Sequence, residues 1–130
     1  MKTILLIEDH DLMRLFLVNY LSSEYEVFSV ATIKEANAWI KYQHADLILA
    51  DFPRNEDTLE MNRLQAQIQG TQTNLVVLTD QDKSEQRIKA LQWGAKDCLS
   101  KPFNPVELKL RIKTQLPTQF ALGQQFRPVA

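Results

Sequence analysis

Asp46-Leu47-Ile48-Leu49-Ala50-Asp51 sets four apolar residues between two acids. A run this short, with no polar alternation, predicts a strand over 47–50 that is buried on both faces. Ile4–Ile7 repeats the form and is followed by Glu8-Asp9; Leu75–Leu78 repeats it and is followed by Thr79-Asp80. Glu26–Val30 and the shorter Asp97–Leu99 complete five strands, the last running into Lys101-Pro102. The intervening segments carry helical spacing. Leu12, Met13, Phe16, Leu17, Tyr20 and Leu21 form one apolar stripe. Thr32 with Glu35 predicts a capping box that starts a helix with Ile33, Ala36 and Ile40 inward. Residues Asp57–Gln69 read as a helix with Leu64 and Ile68 inward. Asp82 with Glu85 predicts a second capping box, leading through Ile88 and Leu91 to a C-cap near Gly94. Asn104-Pro105 and Glu107 place an N-cap, a first-turn proline and an acid in order, for a helix through Leu108 and Ile112 that stops at Pro117.

Strands alternating with helices imply an α/β domain: a doubly wound parallel sheet of five strands covered on both faces. The 130-residue length fits one such domain, over residues 1–117, with the polar segment 118–130 as a tail or linker. The 45% hydrophobic and 24% charged fractions are those of an ordinary globule, large enough to fold without disulfide or metal. A formal net charge of −1 argues against direct nucleic-acid binding, which needs a basic surface. A single cysteine, Cys98, excludes an internal disulfide, and the N-terminal apolar run meets Glu8 too early for a signal peptide or membrane span. These features predict a cytoplasmic location with no membrane contact.

In doubly wound sheets ligands bind beyond the carboxyl ends of the strands. That edge gathers Glu8, Asp9, Asp51, Thr79 and Lys101. Carboxylates held together repel unless a cation lies among them, and an oxygen donor set of this kind suits Mg²⁺. Lys101 supplies a compact positive charge and Thr79 a hydroxyl, both suited to a phosphoryl group. Asp51 then reads as a nucleophile that forms an acyl phosphate. Asp11 and Asp82 read as turn or cap residues, His10 as a loop residue, Cys98 as a small packing residue, and Trp39 and Trp93 as packing residues.

Five segments together resemble the response-regulator receiver domains of two-component signalling: 4–10 (ILLIEDH), 46–51 (DLILAD), 76–79 (VVLT), 94–97 (GAKD) and 99–103 (LSKPF). The resemblance spans roughly residues 3–116. It implies a flavodoxin-like (βα)5 fold with strand order 2-1-3-4-5. It implies that Asp51 is the phosphoacceptor, that Glu8, Asp9, Asp51 and the carbonyl of Pro53 hold Mg²⁺, and that Thr79 and Lys101 contact the phosphoryl group. It also implies a histidine kinase or histidine phosphotransfer protein as donor, an output through the fourth helix, fifth strand and fifth helix, where a homodimer can form, and a cis Lys101–Pro102 bond. An effector domain is expected beyond residue 130.

Three positions depart from the family pattern. Pro53 follows Asp51 by two residues and no glycine precedes Gly70, so the loop after the third strand is expected to be short or rebuilt. Asp80 stands where a small residue is usual. With Glu8, Asp9 and Asp51 at −3, Lys101 at +1 and Mg²⁺ at +2, an inward Asp80 adds an uncompensated charge that opposes phosphorylation. Cys98 stands where an aromatic switch residue is usual. These departures support an alternative reading, an interaction module that works without phosphorylation. Phosphatase readings fare worse: Pro53 occupies the place of the second acid of haloacid-dehalogenase-type enzymes, and no glycine-rich P-loop is present.

Overall fold

A computed structural model describes residues 1–116; the expected stop at Pro117 and the tail at 118–130 lie outside the described residues. The strands are β1 (Thr3–Ile7), β2 (Glu26–Val30), β3 (Leu47–Asp51), β4 (Asn74–Thr79) and β5 (Asp97–Ser100). The helices are α1 (Asp11–Leu21), α2 (Ile33–Ile40), α3 (Thr58–Ile68), α4 (Ser84–Gln92) and α5 (Pro105–Gln115). All strand pairs are parallel, and the order is β2-β1-β3-β4-β5, as the resemblance implies.

The aliphatic runs bury both faces because successive side chains of a strand point to opposite sides. Ile4, Leu6, Leu47, Leu49, Val76 and Leu78 pack under α1 and α5 with Leu17, Leu21, Leu108 and Ile112. Leu5, Ile7, Ile48, Ala50, Leu75 and Val77 pack under α2, α3 and α4 with Ile33, Ala36, Met61, Leu64, Ala90 and Trp93. The two cores leave no freedom of register, since a one-residue slip would exchange them.

Caps fix the helices that flank the site. Thr32 accepts from the Glu35 N–H at 3.1 Å, and the Glu35 carboxylate takes the Thr32 hydroxyl rather than its N–H. Asn104 accepts from the Val106 N–H at 2.8 Å ahead of Pro105. Buried Asn37 of α2 donates to the Glu60 carbonyl and carboxylate and accepts from Gln67, tying α2 to α3. The loop after β3 is rebuilt: Phe52–Arg54 lead into a 3-10 turn at Asn55–Asp57 that runs directly into α3.

Three expectations need correction. Asp82 does not cap α4; it occupies a turn with φ of 58°, and Lys83 precedes the helix without a side-chain cap bond. Ile88 and Leu91 point outward, 57% and 60% exposed, and Ala90 and Trp93 of the opposite face dock instead. On α1, Leu12 and Phe16 are exposed while Leu17 and Leu21 are buried, because the apolar arc of this helix is wider than the sheet it covers.

Candidate phosphoryl and metal site

The carboxyl ends of β1 and β3 are adjacent, with Ile7 opposite Ala50. That register brings Glu8 and Asp9 beside Asp51, with one ligand atom of each within 4.8 Å of the others. Glu8 is buried, Asp51 half-buried and Asp9 exposed at the rim. Lys101 enters from β5: its Nζ lies 2.5 Å from Asp51 Oδ1 and 3.8 Å from Glu8 Oε1. The Lys101–Pro102 peptide is cis. Thr79 ends β4 with no exposed surface. Pro53 lines a cavity of about 180 Å³ with Asp9, Asp51, Phe52 and Arg54. The structure therefore gathers Glu8, Asp9, Asp51 and Lys101, with Pro53 on the same cavity and Thr79 at the end of the strand next to β3.

Burial raises the Glu8 carboxyl above the usual range, and the nearby Asp51 and Asp9 charges add to it; the His10 N–H and Lys101 oppose it. Burial also works against the Lys101 ammonium, but the hydrogen bond to Asp51 and the Asp51, Glu8 and Asp80 charges together outweigh it and hold its pKa above that of free lysine. Glu8 Oε2 accepts from the His10 N–H at 3.1 Å. Among the described residues, Glu8 Oε1 and Thr79 Oγ1 are buried without a hydrogen-bond partner. A buried polar atom left unpaired costs about 1–3 kcal/mol. One of these oxygens belongs to the carboxylate cluster and the other ends β4, whose Thr79 carbonyl accepts from the Lys101 N–H at 2.7 Å; the pair fits a site built for a cation and an anionic group. The donor set, all carboxylate and carbonyl oxygen, is of the hard type that Mg²⁺ takes.

Asp80 does not point into this cluster. It is exposed, its N–H donates to Gln86 Oε1 at 2.8 Å, and its Oδ2 accepts from Gln86 Nε2 at 3.1 Å. Its effect on the site is reduced to the smallest of the charge contributions at Lys101. His10 caps α1, its Nδ1 accepting from the Met13 N–H at 3.3 Å, and Asp11 pairs with Arg14 at 2.7 Å. Cys98 is half-buried; burial, then the Asp97 charge, push its thiol pKa up, with Arg87 opposing, so it remains a packing residue. Sequence reasoning missed Arg54, whose Nη2 lies 2.5 Å from Asp9 Oδ2. The available signal was a cation three residues past Asp51 on the same sheet edge.

An apolar groove of about 420 Å³ shares Lys101 with the cluster and is lined also by Met13, Phe16, Asp80, Pro102 and Phe103.

An acid cleft with a lysine at the carboxyl edge of a parallel sheet defines a class of proteins suited to handle a cation and a phosphoryl group there. The chain belongs to the response regulator receiver domain family, whose model matches residues 4–113. It is 33% identical over 113 residues to the transcriptional regulatory protein PmrA of Pectobacterium parmentieri, covering 85% of this chain and 50% of that protein. It is 30% identical over 127 residues to histidine kinase P4 of Formosa agariphila, covering 96% of this chain and 9% of that protein. The chain thus spans half or less of the length of these curated relatives. The receiver domain of sensor histidine kinase PA1611 from Pseudomonas aeruginosa superposes with a TM-score of 0.75 at 26% identity, covering 90% of this chain and 98% of that one, and holds a magnesium ion in its active site cleft.

Proposed function

We propose that this receiver domain takes a phosphoryl group on Asp51 and passes the change to a partner or effector. The observation that carries the reading is the juxtaposition of Asp51 with the Lys101 ammonium, beside a buried Glu8 oxygen that lacks a hydrogen-bond partner among the described residues. The Asp51 carboxylate attacks the phosphorus of a phosphohistidine; the P–O bond forms as the P–N bond breaks, and the imidazole leaves with a proton from solvent. Mg²⁺, held by Glu8, Asp9, Asp51 and the Pro53 carbonyl, would neutralise charge on the transferring group. Lys101 holds Asp51 in place and offers its charge to a phosphoryl oxygen. The Thr79 hydroxyl, which has no partner among the described residues, is the donor for another oxygen.

Leu12, Leu15 and Phe16 expose apolar surface on α1 next to the groove at Met13 and Phe103, a face suited to the helices of a histidine kinase or phosphotransfer protein. Ile88 and Leu91 of α4 with Val106 and Leu110 of α5 expose a second apolar surface, the proposed output face toward an effector domain or a second copy. Residues 1–117 are the proposed switch, with 118–130 a linker, in the cytoplasm where such donors act. Among the described residues no helix is long and apolar enough to cross a membrane.

Incubation with Mg²⁺ and phosphoramidate, read by intact mass, tests the reading. One phosphoryl group is expected in the wild type and none in Asp51→Asn. Equal labelling of both proteins, or of neither, contradicts it.

A further inference from the structure

Arg54 is the cation that the charge count at this edge omits. Glu8, Asp9 and Asp51 bring three negative charges, and Lys101 and Arg54 return two. Lys101 sits on Asp51, the buried side of the cluster; Arg54 sits on Asp9, the rim. Its side chain is 69% exposed, so water can solvate the guanidinium when it leaves Asp9. Asp9 is also one of the three carboxylates that would hold a cation.

We propose that Arg54 competes with Mg²⁺ for Asp9 and so sets how much Mg²⁺ the switch needs before it can be charged. The inference rests on the metal-site reading above. A guanidinium on Asp9 occupies a carboxylate oxygen and adds a positive charge where a dication must enter. Mg²⁺ binding must therefore displace it. An exposed ion pair of this kind is worth a factor of about two to five in an equilibrium constant, and that factor is the expected penalty on Mg²⁺ affinity. The displacement has a route outward. Arg54 begins the 3-10 turn, its carbonyl accepting from the Asp57 N–H at 2.9 Å. Two residues earlier, the Phe52 ring packs on Trp93 with centroids 5.5 Å apart. Phe52 follows Asp51 directly, so Trp93 reports entry of the metal at the cluster, and the Arg54 side chain itself reports its release.

Mg²⁺ titration of Trp93 fluorescence tests this, in a Trp39→Phe background with and without Arg54→Met, at low ionic strength. The Arg54→Met protein is expected to bind Mg²⁺ about two- to fivefold more tightly. Arg54→Lys is expected to lie between the two, because an ammonium keeps the charge but not the planar fork. The gap between wild type and Arg54→Met should narrow at about 0.5 M KCl, where the Debye length shrinks to a few ångströms. In the wild type, the NMR signal of the Arg54 Nε–H should shift with the same Mg²⁺ midpoint as Trp93. Equal or weaker binding by Arg54→Met, or an Arg54 signal that Mg²⁺ leaves unmoved, overturns the proposal while the metal site stands. No Mg²⁺ binding in either protein overturns both.

Discussion

The inner wall and the outer rim of the acid cleft are built from the same residue types and behave oppositely. On the wall, Glu8 and Thr79 are buried, each with an oxygen that has no hydrogen-bond partner among the described residues, and the Lys101 ammonium lies 3.8 Å from the Glu8 oxygen. On the rim, Asp9 and Asp80 are exposed and each has a partner, Arg54 and Gln86. Burial makes the wall costly to leave unfilled, whereas water already satisfies much of the rim. Wall residues should therefore set whether the site works, and rim residues should set only how readily it fills.

The largest effect is expected at Glu8. Glu8→Gln removes a buried carboxylate from the cation site and should weaken Mg²⁺ binding by more than about tenfold, read by Trp93 fluorescence. The metal-free protein should move the other way. The folded state holds the Glu8 proton more tightly than the unfolded chain, so ionised Glu8 lowers stability as pH rises through its raised pKa. Glu8→Gln should thus raise the metal-free melting temperature at pH 7, and the gain should vanish below the ordinary glutamate pKa of 4.5, where Glu8 is protonated in both states. A gain that persists in acid would break the assignment of the wall as strained by charge.

Thr79 should follow. Thr79→Val keeps the shape of a fully buried side chain and removes a hydroxyl that has no partner. The metal-free fold should gain about 1 kcal/mol in chemical denaturation, while phosphorylation by phosphoramidate slows. A loss of stability would mean that the hydroxyl is already satisfied.

The smallest effect belongs to Asp80. Asp80→Ala should change Mg²⁺ affinity by less than about twofold, the low end for an exposed charge. A large increase in affinity would show that Asp80 turns into the cleft and that wall and rim are not separate.

The wall and Asp9 were legible in the sequence; the partners and directions of the rim were not. Glu8, Asp51 and Thr79 end aliphatic runs, so strand geometry alone fixes where they emerge. Arg54 and Asp80 lie in loops, where direction depends on contacts the chain order does not state: Asp80 turns away because both its N–H and its carboxylate are taken by Gln86, six residues on. The helices divide the same way. On α3, Leu64 and Ile68 are buried as their spacing predicts. On α4, Ile88 and Leu91 share a face, but spacing cannot say whether that face meets the sheet; small Ala90 and the C-cap Trp93 dock in its place. Asp82 carried a cap signature, yet its left-handed backbone puts it in the turn before the helix. Asp80 turns toward Gln86 and contributes the smallest of the charges felt at Lys101, whereas Cys98 leaves no aromatic at the position where the family usually has one.

The central claim is that Asp51 receives the phosphoryl group. The most direct measurement is borohydride reduction of the protein after treatment with phosphoramidate and Mg²⁺, followed by peptide mapping. An aspartyl phosphate is converted to homoserine, which marks the acceptor. Homoserine at position 51, dependent on Mg²⁺, is the predicted result; homoserine at position 9, a reduced Glu8, or no reduced residue would contradict it.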